Sequence, residues 1–109
     1  AKQEMRLQAA RSLNRTAASK IANGEQARIE VAMCKVFTAN VVQEVIDTAL
    51  QYCGGNGIGR DLPLADFHET VRQFRIVDGA DEVHLRTIAR KAFEDVNEDE
   101  LNSVVRYDE

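Results

Sequence analysis

Apolar residues recur at intervals of three and four through most of this chain, and glycines mark the places where the pattern is interrupted. The interruptions fall at Gly24, at the cluster from Gly54 to Gly59, and at Gly79. This spacing is typical of amphipathic α-helices, whereas a half-buried strand alternates every second residue. Because glycine readily takes the left-handed conformation that ends a helix, the sequence predicts an all-α chain divided at these three places.

The expected architecture is an antiparallel four-helix up-down bundle with a short C-terminal helix. The main helices are predicted at residues 2–22, 25–53, 63–74 and 80–93, with an open turn at the glycine cluster and a short extended segment at residues 75–77. Asn97 and Glu100 form a capping-box pattern that predicts the last short helix. The bundle therefore occupies residues 1–93, and residues 94–109 form an acidic C-terminal extension.

The second predicted helix has an unusually wide apolar face. A face of this width usually contacts more than one neighbouring element. Lys35 and Asn40 lie among the apolar residues, where they are either exposed or partnered. The short link before this helix predicts that the first two helices are antiparallel neighbours.

Composition and charge exclude several classes of protein. With 109 residues, of which 44% are apolar, the chain suits one folded domain rather than a disordered segment. A net charge of −4 argues against a dedicated nucleic-acid binder. No apolar run approaches the roughly 20 residues of a membrane span. The chain begins without methionine and already in a helical pattern, so we expect a piece of a longer protein.

The cysteines and histidines predict neither a disulfide nor a metal site. Cys34 and Cys53 fall in one predicted helix, where a rise of about 1.5 Å per residue places them roughly 28 Å apart. Two isolated buried thiols fit a reducing compartment, so we expect a cytoplasmic protein, or one of the mitochondrial matrix in a eukaryote. His68 and His84 have no partners at metal-ligand spacing, which favours structural or surface roles.

The glycine cluster has two interpretations. A helix C-cap followed by a loop explains one or two of its glycines, but the four glycines Gly54, Gly55, Gly57 and Gly59 are more than a cap needs. No strand precedes the cluster and no Gly-Lys-Ser/Thr follows, so neither the Rossmann nor the P-loop motif fits. On the residues alone, a loop is favoured and contact with a phosphate or cofactor stays open.

Asp78 also has two interpretations. The commoner role of an acid in this position is an N-cap for the next helix, with Asp81 as a weak capping-box partner. The alternative is a general base, since a carboxylate in a water-free cleft becomes basic enough to take a proton from carbon. Gly79 would then let a substrate approach backbone N–H groups that stabilise an enolate oxygen. For Arg72 and Arg75, surface or salt-bridged roles are favoured over phosphate binding.

Together these residues resemble the C-terminal helical domain of the acyl-CoA dehydrogenases, FAD-dependent flavoenzymes of β-oxidation. The pattern is carried, in the family's order, by Gln51, Gly54-Gly55-Asn56-Gly57, Pro63, Arg72, Arg75, Asp78-Gly79 and Ile88-Ala89-Arg90. The resemblance extends to about Phe93 and does not include the tail beyond it. Most members have Glu where Asp78 stands. The Asp form is similar to a subgroup that includes dehydrogenases fused to a phosphotransferase-like domain, so the acyl chain length and branching stay open.

The resemblance implies a mechanism and a set of site residues. Asp78 removes the α-proton of an acyl-CoA thioester, and the β-hydrogen leaves as hydride to the flavin. The Asp78 N–H and a ribityl hydroxyl of FAD hold the thioester oxygen, and Gly79 lines the acyl pocket. The residues implied to contact FAD are Ala80, Asp81 and Glu82 and, on the FAD of a neighbouring subunit, Gln51, Tyr52, Cys53, Gly54 and Gly55. Ala80 lacks the threonine hydroxyl that the family often has, so only its backbone is available.

The resemblance also implies what surrounds the chain. The family's N-terminal helical domain and middle β-domain are not among these residues, so we expect this piece alone to be inactive. Family-like symmetry implies a homodimer or homotetramer. A different class of function also stays open: a non-catalytic helical interaction module in which Asp78 serves only as a cap. The electron acceptor is not predicted.

Overall fold

The computed structural model describes residues 1–94 and residue 96, and this part of the chain is all α-helical with no strand. Five helices follow one another: α1 (Lys2–Ala22), α2 (Arg28–Cys53), α3 (Gly55–Ile58), α4 (Leu64–Gln73) and α5 (Asp81–Glu94). The all-α prediction is confirmed. The predicted capping box at Asn97 and Glu100, with its short helix, lies outside the described residues.

Helix α1 ends at the glycine that the sequence predicted would end it. Gly24 has a φ of 76°, and its N–H donates to Ile21 O at 3.0 Å. The N–H of Glu25 reaches back to Lys20 O at 3.0 Å, which completes a Schellman motif. Because these hydrogen bonds engage Glu25 with α1, α2 starts at Arg28 and not at the predicted residue 25.

Helices α1 and α2 are antiparallel neighbours, as predicted. Polar side chains pair along their length, and the α2 partner moves back as the α1 residue advances. The pairs are Gln3 with Thr48 (2.9 Å), Asn14 with Thr38 (3.0 Å) and Lys20 with Glu30. This order fixes the register of the two helices.

Helix α2 is the centre of the described fold. It contacts α1, α3, α4 and α5, whereas α1 contacts no other described helix. The wide apolar face of α2 therefore meets several neighbours, as predicted. Val41, near the middle of α2, is completely buried. The arrangement is one central helix with the others packed around it, and every functional side chain discussed below is positioned against it.

The glycine cluster is helical where an open turn was predicted. Gly54 reverses the chain with a φ of 58°, and its carbonyl then accepts from Gly57 N–H at 2.9 Å, which starts α3. A Cβ on Gly57 would lie 3.1 Å from both Leu50 O and Cys53 Cβ. The close approach of α3 to the end of α2 therefore depends on a glycine at this position.

Residues 74–80, which we call the α4–α5 turn, differ from the predicted extended segment. The N–H groups of Ile76 and Val77 both donate to Gln73 O at 2.9 Å, so the chain keeps coiling after α4. The apolar pattern could not distinguish this coil from a strand because the segment is only three residues long. The predicted bounds of α4 and α5 are correct to within one residue, with Pro63 at the N-cap of α4.

The described surface carries large apolar side chains that no other described residue covers. Tyr52 is 89% exposed, Phe93 is 77% exposed and Ile58 is 76% exposed. Apolar groups of this size on a surface commonly mark contacts with other protein surfaces. None of the helices in the described range has the length and apolar character needed to cross a bilayer.

Candidate active site in the turn between α4 and α5

Asp78 is the residue of the α4–α5 turn with the most unusual backbone. Its φ is 53°, and it is the one non-glycine residue with a positive φ in the described range. Its exposed carboxylate makes no hydrogen bond or ion pair there, and α5 begins only at Asp81. The N-cap interpretation is therefore wrong. Non-glycine residues held in the left-handed region occur preferentially at functional sites.

The carbonyl groups around Asp78 are held by side chains from two helices. The Lys35 ammonium, from α2, donates to Val77 O at 2.6 Å and also to Gly79 O. From α5, His84 Nε2 lies 3.4 Å from Asp78 O. The carbonyls of Val77 and Gly79 thus face α2, and the carbonyl of Asp78 between them faces α5. The Asp78 N–H finds no acceptor among the described residues, which leaves it available to a ligand.

A second set of polar contacts fixes the ends of the turn. Asp81 is 4% exposed, and its Oδ2 accepts from Arg75 Nε at 2.8 Å and from Asn40 Nδ2 at 3.0 Å. Arg75 also donates to Gln43 Oε1 at 3.2 Å, and its carbonyl accepts from Asp81 N–H at 3.0 Å. This confirms the salt-bridged role expected for Arg75.

The charges around Asp81 decide its ionisation. Burial disfavours the anion, but the hydrogen bonds from Arg75 and Asn40 and the charges of Arg75 and Lys35 outweigh it and lower the pKa of Asp81. Asp81 therefore stays ionised, with one oxygen shared by two donors. The other oxygen, Oδ1, is buried without a hydrogen-bond partner.

An apolar cleft of about 470 Å³ opens beside Asp78, between α1, α2 and the α4–α5 turn. We call it the α2 cleft; its lining residues are Asn14, Val31, Cys34, Lys35, Thr38, Ala39, Val42, Phe74, Val77 and Asp78. Burial, together with the negative charge of Glu30, raises the pKa of the Cys34 thiol. Cys34 is therefore an apolar wall of the cleft and not a nucleophile.

The predicted cofactor residues at the end of α2 form a separate exposed surface. Residues 51–55 are all exposed, so Cys53 is not the buried thiol that the sequence predicted. The fold itself requires two of the glycines, Gly54 for its backbone angle and Gly57 for its packing. A Cβ on Gly55 would meet nothing within 4 Å, so the fold of this chain does not explain that glycine.

The structure does not bring this glycine surface and Asp78 together. Lys35, which donates to the carbonyls of Val77 and Gly79 on either side of Asp78, lies roughly 27 Å from Cys53 along α2 at about 1.5 Å per residue. Near the turn, Glu82 is exposed and Ala80 is half-buried, whereas the Asp81 side chain points into the protein. Two distinct surfaces therefore carry the predicted site residues.

The sequence showed Lys35 and Asn40 but gave them no role. Both are polar interruptions of an apolar helix face, and both hold the α4–α5 turn. A lysine inside an apolar stripe that lacks an acid at helical spacing is the signal that could have indicated a carbonyl partner. Among the described residues, no group of three or more His, Cys, Asp or Glu side chains could hold a metal ion.

Comparison with known proteins gives a consistent result. The family model for "Acyl-CoA dehydrogenase, C-terminal domain" matches residues 1–93. Acyl-CoA dehydrogenase family member 11 of Gallus gallus is 49% identical over 86 residues, which are 77% of this chain and 11% of that protein. The probable acyl-CoA dehydrogenase FadE2 of Mycobacterium tuberculosis is 48% identical over 66 residues, 61% of this chain and 16% of that protein.

A solved structure has the same fold. A chain in the structure of the electron transferring flavoprotein of Acidaminococcus fermentans, studied for flavin-based electron bifurcation, matches with a TM-score of 0.83 and 28% identity. The match covers 86% of this chain and 25% of that chain. This chain thus spans only a small part of each of these relatives. From the match over residues 1–93, the chain belongs to the acyl-CoA dehydrogenase family and carries its C-terminal domain.

Proposed function

We propose that this chain is the C-terminal domain of an FAD-dependent acyl-CoA dehydrogenase, in which Asp78 is the base that removes the α-proton of an acyl-CoA thioester. The observation that carries the proposal is the Asp78 carboxylate, which has no partner in the described chain and borders the apolar α2 cleft. Its neighbour Asp81, by contrast, is already committed to Arg75 and Asn40. Of the two acids, Asp78 is therefore the one free to accept a proton.

The groups around Asp78 suit α-proton removal. As the substrate's C–H bond breaks, its proton passes to a carboxylate oxygen of Asp78 and its electron pair becomes an enolate. Negative charge then develops on the thioester oxygen, which a backbone N–H can stabilise. The Asp78 N–H has no acceptor in the described chain. Gly79, with a φ of 96°, adds no side chain beside that N–H.

The exposed residues fit contact with FAD in two places. Gln51, Tyr52, Cys53, Gly54 and Gly55 would contact the FAD of a neighbouring subunit; a Cβ on either glycine would meet nothing, so bare backbone is presented there. The Ala80 backbone and Glu82 would contact the cofactor beside Asp78. Asp81 would act through the shape of the turn, because its carboxylate points into the protein. When bound, the flavin supplies the acceptor for the β-hydride.

The short side chain of Asp78 affects how its carboxylate reaches the substrate. Asp78 is one methylene shorter than the family's usual Glu, which moves the carboxylate by about 1.5 Å at most. The left-handed backbone of Asp78 and the anchored carbonyls of its two neighbours, Val77 and Gly79, would therefore have to set the distance to the α-carbon. We infer that the reaction type is that of the family, whereas the acyl chain length and branching stay open.

The exposed apolar residues favour a larger assembly. Tyr52, Ile58 and Phe93 suit contacts with other domains of the full-length protein and with further subunits of a homodimer or homotetramer. Two free thiols, Cys34 and Cys53, fit a reducing compartment such as the cytoplasm or, in a eukaryote, the mitochondrial matrix.

The decisive experiment replaces Asp78 with Asn in the full-length protein that contains these residues. We expect Asp78→Asn to retain bound FAD and to lose dehydrogenation of acyl-CoA, because the amide cannot accept the proton. The matched control is Asp66→Asn, an exposed acid on α4, which should leave kcat unchanged. Retained activity in Asp78→Asn would place the base elsewhere and end the proposal.

The 109-residue chain by itself should bind FAD weakly or not at all. It offers two separate surfaces, each of which would complete a site only with other parts of the protein. Absorbance near 450 nm of the purified chain measures bound flavin. Tight stoichiometric FAD would contradict the proposed division of the site.

A further inference from the structure

We propose that Lys35 is a positioning residue for Asp78: it holds the turn that carries the base in the one conformation that points the carboxylate and the N–H outward. This inference rests on the proposed function, since it concerns the same site. It assigns a role to a residue on α2, a different helix from those that the turn connects. No contact between Lys35 and a substrate is needed for it.

The first observation is geometric. The Lys35 ammonium spans Asp78, donating to the carbonyl before it, Val77 O at 2.6 Å, and to the carbonyl after it, Gly79 O. An ammonium has three donors and no acceptor, so it can hold two carbonyls at once. With both carbonyls directed toward α2, the peptide groups on either side of Asp78 are fixed in orientation.

The second observation concerns the opposite side of the turn. The His84 ring lies under Gly79, where an added Cβ would be 2.7 Å from His84 Nε2. The same nitrogen lies 3.4 Å from Asp78 O. The turn is thus enclosed between Lys35 and His84, and Asp78 cannot relax toward α5 without displacing the ring.

The third observation excludes the simplest alternative role for Lys35. Lys35 and Asp78 both line the α2 cleft, yet no Lys35–Asp78 ion pair forms within 4.0 Å in the described chain. The lysine is engaged by the backbone, and the carboxylate stays free. Lys35 therefore orients the base without neutralising it.

The position of the Asp78 carboxylate relative to the substrate determines the rate of proton removal. A misplacement of about 1 Å at the reacting groups can lower a rate by about 10²-fold. Loss of the two Lys35 hydrogen bonds should therefore lower kcat more than it changes KM, because it displaces the base, whereas Lys35 itself is not proposed to contact the acyl-CoA or FAD.

The test uses the full-length, FAD-loaded protein and the substitution Lys35→Met, which keeps the length of the aliphatic stem. We expect kcat for acyl-CoA dehydrogenation to fall at least about tenfold with KM within about threefold. We also expect faster hydrogen exchange in peptides covering residues 76–80, with bound flavin unchanged. The matched control is Lys20→Met, which removes an ammonium that also bonds across two helices, to Glu30.

Three results distinguish failure of the positioning role of Lys35 from failure of the proposed function. A Lys35→Met variant with kcat within twofold of wild type, while Asp78→Asn is inactive, overturns the positioning role alone. Wild-type activity in Asp78→Asn removes the proposed function itself, whatever Lys35 does. If Lys35→Met loses its flavin or precipitates, the variant Lys35→Arg is the test, because its guanidinium can donate to both carbonyls. A kcat within about threefold of wild type then supports the positioning role. A folded, flavin-bound Lys35→Arg without activity overturns it.

Discussion

The substitution Asp81→Asn tests the contact that closes the α4–α5 turn. In the native chain, Oδ2 accepts from Arg75 at 2.8 Å and from Asn40 at 3.0 Å, and Oδ1 is buried without a partner. The new amide can keep its oxygen toward the two donors, with its NH₂ in the buried position of Oδ1, but it no longer carries the negative charge that pairs with Arg75. In the other orientation, the NH₂ faces two donors and leaves them without an acceptor. Either way, the guanidinium loses its ion-pair partner.

The size of the effect follows from how deeply each partner is buried. Removing one member of a fully buried ion pair costs about 3–5 kcal/mol, and an exposed pair is worth about 1 kcal/mol or less. The Asp81 side chain is 6% exposed, but that of Arg75 is 34% exposed, so water can partly solvate the stranded guanidinium. We therefore expect a loss between these limits, about 2 kcal/mol.

Equilibrium unfolding of the chain in urea, followed by far-UV circular dichroism at pH 7, measures this loss. The midpoint should fall at an unchanged slope, because the surface exposed on unfolding stays the same. A double-mutant cycle with Arg75→Met isolates the pair: once Arg75 is gone, Asp81→Asn should cost about 1–2 kcal/mol less than in the wild type. A loss below about 0.5 kcal/mol, or full additivity with Arg75→Met, would refute the reasoning.

Three further outcomes are expected. The pKa of Asp81 is lowered from its usual 3.8, so its contribution to stability should be complete above that pH and should disappear as the pH falls through the lower pKa of the native state. Measuring the urea unfolding midpoint at a series of acidic pH values checks this. The Asp81→Asn variant should lack this pH dependence. Gly57→Ala should cost about 1–3 kcal/mol by crowding the end of α2, whereas Gly55→Ala should stay within about 0.5 kcal/mol, both by urea unfolding. Gly79→Ala should lower stability through backbone strain and the His84 contact, and adding His84→Ala should recover only part of the loss, because the φ of 96° stays unfavourable for alanine.

The helices could be predicted because each depends on local signals. Gly24 ends α1 through a Schellman motif that the dipeptide Asn23-Gly24 already suggested. The start of α2 was missed by three residues because Glu25 looks like a good first-turn residue, yet its N–H is used by the preceding helix. A local pattern does not show which of two helices will use a residue between them.

The site was only partly predictable, because its geometry depends on contacts between distant residues. The acid and glycine at residues 78–79 were found by pattern, but the N-cap interpretation failed since α5 begins only at Asp81 and the Asp78 carboxylate makes no hydrogen bond in the described chain. Asp81 looked like a first-turn acid and proved to be a buried partner of Arg75 and Asn40. Nothing near residue 81 in the sequence indicates Asn40, which lies on another helix.

The energetics of Asp78 show why its support comes from α2. A left-handed backbone costs a non-glycine residue about 1–2 kcal/mol, although Asp is among the residues that adopt it occasionally. A hydrogen bond to a charged group contributes about 1.5–3 kcal/mol, and Lys35 makes two across Asp78. These bonds are large enough to offset the strain, which agrees with the positioning role proposed for Lys35. Because α2 is itself fixed by contacts with four other helices, the position of the base is set by the most constrained element of the fold.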